Sequence, residues 1–200
     1  MLSDKKPVVE KYLTPLVATL AKANPNVLTL VGSIPPLLFF VFVVYHQYAW
    51  ALVAFVGNLF DMIDGMVARK YHKVTAFGGF LDSTLDRISD FFMITAFAFG
   101  GIVRWELVAP LLLFSFLISY ARGTSEKLAY AKGDTKTKFN VGLIERTERL
   151  FITCLALILF MLFPTFSFAE LNVAEIVFVI LVLLSGYTAL QRIMYAKSHL

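Results

Sequence analysis

The stretch that decides how this chain folds is Asp61–Arg87, DMIDGMVARKYHKVTAFGGFLDSTLDR, in which Asp61, Asp64, Asp82 and Asp86 stand at intervals of three, eighteen and four positions. Residues three and four apart share a helical face. Asp61 and Asp64 therefore point one way, with Ala68 a turn further on, and Asp82 and Asp86 do the same on the following helix. RKYHKVTAFGGF between them is short enough for a helical hairpin that turns the two carboxylate pairs toward each other.

The setting makes four acids expensive. Of 200 residues 58% are hydrophobic and only 16% charged, against about 25% charged in soluble domains, so the chain reads as an all-α polytopic membrane protein. Apolar runs occur near 27–45, 49–60, 91–103, 107–118, 150–163 and 173–190. Several fall short of the ~20 residues that cross the hydrocarbon layer. They become long enough if each helix continues into the neighbouring polar stretch, which predicts six transmembrane helices with polar ends at headgroup level.

Residues 1–26 carry Lys5, Lys6, Lys11 and Lys22 and no uninterrupted apolar core, so no cleavable signal peptide is expected. Val8, Val9, Tyr12, Leu13, Leu16, Val17 and Leu20 recur at helical spacing, which suits an interfacial amphipathic segment, broken at Thr14–Pro15, ahead of a six-helix domain over 27–200. Under six spans, every Lys and Arg except Arg104 falls on one side of the membrane. The termini and the acidic motif are therefore expected to be cytoplasmic. The net charge of +4 fits contact with membrane lipids, and nothing asks for nucleic acid. The single Cys154 lies in an apolar run and reads as a core residue.

Four convergent carboxylates repel by several kcal/mol at an effective dielectric near 20, and each acid costs about 2.5 to 3.5 kcal/mol at mid-membrane depth. Divalent cations remove both costs. An all-carboxylate cluster favours Mg²⁺ or Mn²⁺ over zinc. His72 reads as a loop residue rather than a ligand, and Asp90 as either a partner of the cluster or a buried acid paired with Arg87. Gly65, Ala68, Gly78 and Gly79 leave backbone exposed around the acids, and Arg69 edges the groove. Such a groove could hold a flat base and a pyrophosphate.

As a pattern, Asp61, Asp64, Gly65, Ala68, Arg69, Gly78, Asp82 and Asp86 give D-x2-D-G-x2-A-R-x8-G-x3-D-x3-D, which resembles the signature of the CDP-alcohol phosphotransferase family. PNVLTLVG entering the first span and the six-helix layout are similar to that family as well. The resemblance implies a homodimer that transfers a phosphoalcohol from a CDP-linked lipid donor to an acceptor hydroxyl and releases CMP, with divalent metal, two ions being expected. Carried over by position, Asp61, Asp64 and Asp82 would hold metal, with Asp86 at its edge acting as general base. Asp61, Gly65, Ala68, Arg69 and Gly78 would bind the CDP moiety. No Ser, Cys or His stands in the signature to form a phosphoenzyme, so direct in-line attack is expected.

The acceptor must be read elsewhere. SYARGTSEKL (residues 119–128) and GLIERTERL (residues 142–150) resemble segments of the branch that uses inositol 1-phosphate. The match implies Ser119, Arg122, Arg146 and Arg149 as contacts of a phosphorylated polyol acceptor, with Arg192 a further candidate and Glu145 and Glu148 placed to orient the arginines. An interfacial ion-pair lattice would use the same residues. Thr124 stands where bacterial members of the branch tend to carry another basic residue, a role left to Arg149 or Lys138. Glycerol 3-phosphate is the rival acceptor, because it too brings a phosphate, whereas serine needs no arginines. Diacylglycerol and archaeol tails carry no polar groups for the protein to read. A transporter would spread its acids along a pathway and break helices in both halves; here the acids sit in one hairpin.

Overall fold

The computed structural model describes residues 19–20, 23–58, 61–134, 137 and 139–200, and of Asp61 and Met62 only the backbone. The interfacial segment expected over 1–26 lies for the most part outside the described residues. The described chain is mostly helical and divides into two compact units, Met1–Ala96 and Phe97–Leu200.

In the first unit α1 (Pro25–Gly32) and α2 (Ile34–Val44) run on as one 20-residue apolar stretch. Asn24 caps α1, its side chain accepting the Asn26 N–H at 3.0 Å, and Pro25 takes the first-turn position where a missing N–H costs nothing. Pro35 and Pro36 then open α2, and the carbonyls they cannot serve mark the junction at Ser33. His46 turns the chain with a φ of +58° into α3 (Tyr48–Gly57). Next come α4 (Asp61–Lys70) and α5 (Ala76–Phe99).

The hairpin between α4 and α5 is set by caps at both ends. After α4, the Lys73 N–H reaches back to the Ala68 carbonyl at 2.8 Å while His72 adopts a φ of +53°, a helix ending that needs one left-handed residue. The Lys73 ammonium bonds the Ala23 carbonyl at 3.0 Å, tying the turn to the entry of α1. Thr75 then accepts the Gly78 N–H at 2.9 Å and starts α5. Helix α1 packs on α4 through Ile63, Met66 and Val67, with Leu28 and Tyr71 against them. Helix α2 packs on α3, and Phe40 meets Phe92 of α5 edge-on at 5.6 Å.

In the second unit α6 (Trp105–Ala131) and α8 (Val173–His199) pack along each other, and α7 (Arg146–Leu162) packs on α8. The fourth apolar run ends near residue 118, but the helix continues through the polar residues after it as far as Ala131. A short hairpin of β1 (Ser167–Phe168) and β2 (Leu171–Asn172) leads into α8. There Glu175 serves three partners: it closes a capping box with Asn172, accepts the Arg104 N–H at 3.2 Å, and pairs with the Arg104 Nε at 2.8 Å. That hydrogen bond and charge raise the Arg104 pKa further above its ordinary value. Small polar residues, Ser115 and Ser185, are fully buried, while Ile180, Leu183 and Leu190 of α8 are exposed. Small residues between helices and aliphatic ones outward are the pattern of a bundle whose solvent is lipid.

Among the described residues three stretches can cross a membrane by length and composition: Pro25–Val44, Trp105–Ala131 and Val173–His199. The two longer ones run about 40 Å at 1.5 Å per residue, beyond the ~30 Å hydrocarbon layer, so their polar ends reach the headgroups. Of the rest, α3 is a shorter apolar helix, α5 carries Asp82, Asp86, Arg87 and Asp90, and α7 has 17 residues.

Phe178 is fully buried on α8 and its ring lies 4.9 Å from that of Phe97. Phe178→Ala is expected to destabilise the protein by about 3 kcal/mol and Phe178→Leu by clearly less, read as the thermal midpoint in detergent at unchanged helix content.

Candidate active site

Asp64 is a buried acid of the first unit, with 5% of its surface exposed. The Gly65 N–H donates to its Oδ1. Across the α1–α4 contact the Thr29 hydroxyl lies within hydrogen-bonding reach, able to turn its proton either to Asp64 or to the Pro25 carbonyl 3.0 Å away. The charges of Asp82 and Arg69 also act on Asp64, Asp82 against its ionised form and Arg69 in favour of it. The hairpin thus places Asp64 and Asp82 in electrostatic contact across two helices. Asp82 is exposed, and Asp86 is 20% exposed with the Arg87 Nη1 at 3.4 Å from its carboxylate. Asp90, one turn on, is almost fully buried.

The glycines are explained by their neighbours. A Cβ on Gly65 would stand 3.1 Å from the Arg69 Nη1, so the guanidinium folds back over the helix at the place where a side chain is missing. A Cβ on Gly78 would stand 3.0 Å from both the Asn26 Oδ1 and the Thr75 Oγ1, which close that side. Ala68 is half-buried on α4. Asn26 and Thr29 were not singled out from the sequence. Their signal was present, two polar residues three apart on a short apolar helix, and PNVLTLVG contains both.

Among the described residues no three carboxylate, imidazole or thiolate groups form a metal-binding group by themselves; the Asp61 side chain lies outside them. What the described part offers around Asp64 is oxygen: the carboxylates of Asp64 and Asp82 and the hydroxyl of Thr29. That donor set fits a hard divalent cation and does not fit zinc. His72 is exposed in the turn after α4.

In the second unit a polar network joins α6, the segment before α7, and α8. Arg122 donates through Nε to Glu126 at 2.9 Å and through Nη1 to the Asn140 side-chain oxygen at 3.2 Å. The Asn140 amide donates in turn to Glu145 at 2.9 Å. Arg192, 7% exposed, feels the charges of Arg122, Glu145, Arg149 and Glu126. Arg149 is 1% exposed, Arg146 and Ser119 are half-buried, and Thr124 is half-buried on α6; Lys138 lies outside the described residues. Glu145 and Glu148 also have a second role. They close the capping box of α7, with the Glu145 N–H donating to Glu148 at 3.1 Å, because a helix start has orphan N–H groups to satisfy first. Arg192 also differs from a plain ligand, since its Nε and Nη1 each bond a main-chain carbonyl, Val141 and Ile118, at 2.8 Å.

The acidic hairpin and its glycines match a known family: the profile described as CDP-alcohol phosphatidyltransferase covers residues 22–189. The chain belongs to that family. Membership removes the transporter reading. The chain is similar to the archaetidylinositol phosphate synthase of Pyrococcus horikoshii, with 34% identity over 203 aligned positions that cover 100% of this chain and 98% of the relative. Its fold is similar to that of the phosphatidylinositol phosphate synthase of Mycobacterium tuberculosis in a crystal structure with CDP-DAG bound. The TM-score there is 0.76 at 26% identity, covering 93% of this chain and 94% of the other. A second crystal structure of that enzyme, in complex with manganese and citrate, aligns with a TM-score of 0.74 at 27% identity, covering 92% and 88%.

Proposed function

We propose that this chain is a membrane-embedded, metal-dependent synthase that transfers the phosphatidyl or archaetidyl phosphoalcohol of a CDP-lipid to a hydroxyl of inositol 1-phosphate, with release of CMP. The observation that carries the acceptor is the network of the second unit, in which Arg122 and Arg149 both lie within electrostatic reach of Arg192. Like charges gathered in a membrane protein call for an anion, and a phosphomonoester meets arginines with charge-assisted, bidentate geometry. The similarity to synthases of inositol-phosphate lipids supports the same acceptor.

The chain's own residues supply the following roles in this reading. Asp61, Gly65, Ala68, Arg69 and Gly78 bind the CDP moiety, with the folded-back Arg69 guanidinium on the diphosphate and the two glycines admitting the nucleotide close to the backbone. Asp61, Asp64, Asp82 and Asp86 would hold divalent metal, Mg²⁺ or Mn²⁺, as one or two ions. When bound, metal polarises the phosphoryl oxygens and neutralises charge on departing CMP. Ser119, Arg122, Arg146 and Arg149 hold the acceptor phosphate. Asp86 takes the proton of the acceptor hydroxyl as its oxygen bonds to the phosphorus distal to cytidine. The bond from that phosphorus to the bridging oxygen breaks, and CMP leaves with the electron pair.

The layout that goes with this chemistry is six spans, with α3, α5 and α7 crossing beside the three longer stretches, an interfacial segment at 1–26, and a domain over 27–200. The distribution of lysines and arginines supports cytoplasmic termini and a cytoplasmic acidic hairpin. The protein works as a homodimer.

Purified protein given one CDP-lipid and a panel of inositol 1-phosphate, inositol, glycerol 3-phosphate and serine is expected to release CMP with the first; turnover with serine and none with either phosphorylated acceptor rejects the assignment. Asp86→Asn is expected to lower kcat by roughly 10²- to 10⁴-fold with donor binding retained. Chelation should abolish turnover of the unmodified protein, and Mg²⁺ or Mn²⁺ should restore it. Gly65→Ala should displace the Arg69 guanidinium and raise the KM for CDP-lipid about as much as Arg69→Ala, with the double variant no worse than either alone.

A further inference from the structure

Thr188 lies on α8, outside every motif discussed so far, and is fully buried. Its hydroxyl donates to the Leu184 carbonyl at 2.8 Å and accepts the N–H of Ile144 at 3.3 Å. Facing it is Gly142, whose φ of +147° favours glycine and where a Cβ would collide with the Thr188 methyl group. One turn further along the same face of α8, Arg192 holds the Val141 carbonyl through Nε and the Ile118 carbonyl through Nη1.

Two of the four residues 141–144 are therefore hydrogen-bonded by side chains of one helix, and Gly142 lies close against one of them. Ile118 immediately precedes Ser119 on α6, and Ile144 immediately precedes Glu145 and Arg146 at the start of α7. Helix α8 thus fixes how the beginning of α7 stands relative to the Ser119–Arg122 turn of α6.

We propose that Thr188, with Gly142 as its close-approach partner, is a positioning residue for the acceptor-phosphate cluster. It sets the point at which residues 141–144 deliver Arg146 and Arg149. The inference rests on the reading that this cluster takes the acceptor's phosphate. Thr188 acts through the main chain, because its single proton goes to Leu184 and its oxygen serves Ile144. Both parts of the side chain matter: the methyl fills the volume that Gly142 leaves, and the hydroxyl satisfies a buried N–H that precedes the first turn of α7. Valine would keep the shape and strand that N–H, whereas serine would keep the bond.

The test is initial-rate kinetics on the full-length protein in detergent, varying inositol 1-phosphate at saturating CDP-lipid and the reverse, with a thermal midpoint for each variant. Thr188→Val is expected to raise the KM for inositol 1-phosphate about five- to tenfold, the equivalent of roughly one hydrogen bond, with kcat and the donor KM at the wild-type level. Thr188→Ser should remain close to wild type. Gly142→Ala, which pushes the Thr188 methyl aside, should reproduce the acceptor defect, and it decides the matter by the same split if Thr188→Val does not fold. A lower midpoint with an unchanged acceptor KM, or equal rises in both KM values, overturns the proposal and leaves Thr188 a packing residue. Wild-type protein that uses inositol as well as inositol 1-phosphate, and is not inhibited by inorganic phosphate, instead overturns the acceptor assignment beneath it.

Discussion

A carboxylate withdrawn from water beside a second carboxylate is the constraint on which the first unit is built. Asp64 is buried on α4 and feels the charge of Asp82 on α5, and the removal of such a group from water costs several kcal/mol unless partners replace the solvent. The structure supplies the Gly65 N–H, the Thr29 hydroxyl and the positive charge of Arg69. These partners explain local choices that would otherwise look like defects. Glycine after Asp64 lets the guanidinium fold back over the helix, and Thr29 interrupts an apolar face of α1 because that face carries a donor to α4. The same partners leave the like-charge repulsion from Asp82 in place, a repulsion that a hard cation held there as proposed would relieve.

The second unit solves the opposite electrostatic problem. Arg122 and Arg149 act on Arg192, and two carboxylates offset them: Glu126 beside Arg122, and Glu145 linked to it through Asn140. In the proposed reading, an acceptor phosphate would compete with those carboxylates for guanidinium groups. The competition disfavours weak monoanions and favours a dianionic phosphomonoester, which can outbid an exposed pair such as Arg122 with Glu126, itself worth little in water. If the acceptor binds here as proposed, this balance of charges selects a phosphorylated acceptor over an uncharged polyol.

The sequence was most informative where chemistry and helical period coincide. The spacing of Asp61, Asp64, Asp82 and Asp86 identified the hairpin and the family, since few arrangements can keep four acids among apolar helices. It was less informative about helix ends, because those depend on caps. α6 continues to Ala131, well past the apolar run that ends near residue 118, and the capping of α7 by Glu145 and Glu148 is not visible in the spacing of the arginines they accompany. Contacts between residues distant in the chain were not legible at all. Asn26 with Gly78, Thr29 with Asp64, and Thr188 with Gly142 are each set by the packing of two helices or of a helix against a loop, and no periodicity encodes a partner so far along the chain.

Arg192 shows why position and binding have to be separated in such a site. A guanidinium has five N–H groups, and two of the Arg192 nitrogens already hold the carbonyls of Val141 and Ile118. Loss of Arg192 would therefore release residue 141 and the Ser119 turn while also removing a charge that acts on the anion, and a weaker acceptor affinity could come from either change. Thr188 carries no charge and bonds only main chain, so its contribution reaches the acceptor solely through geometry. Two residues one turn apart on α8 thus hold the same segment, one with electrostatic weight and one without, and the difference between them measures how much of acceptor recognition is charge and how much is placement.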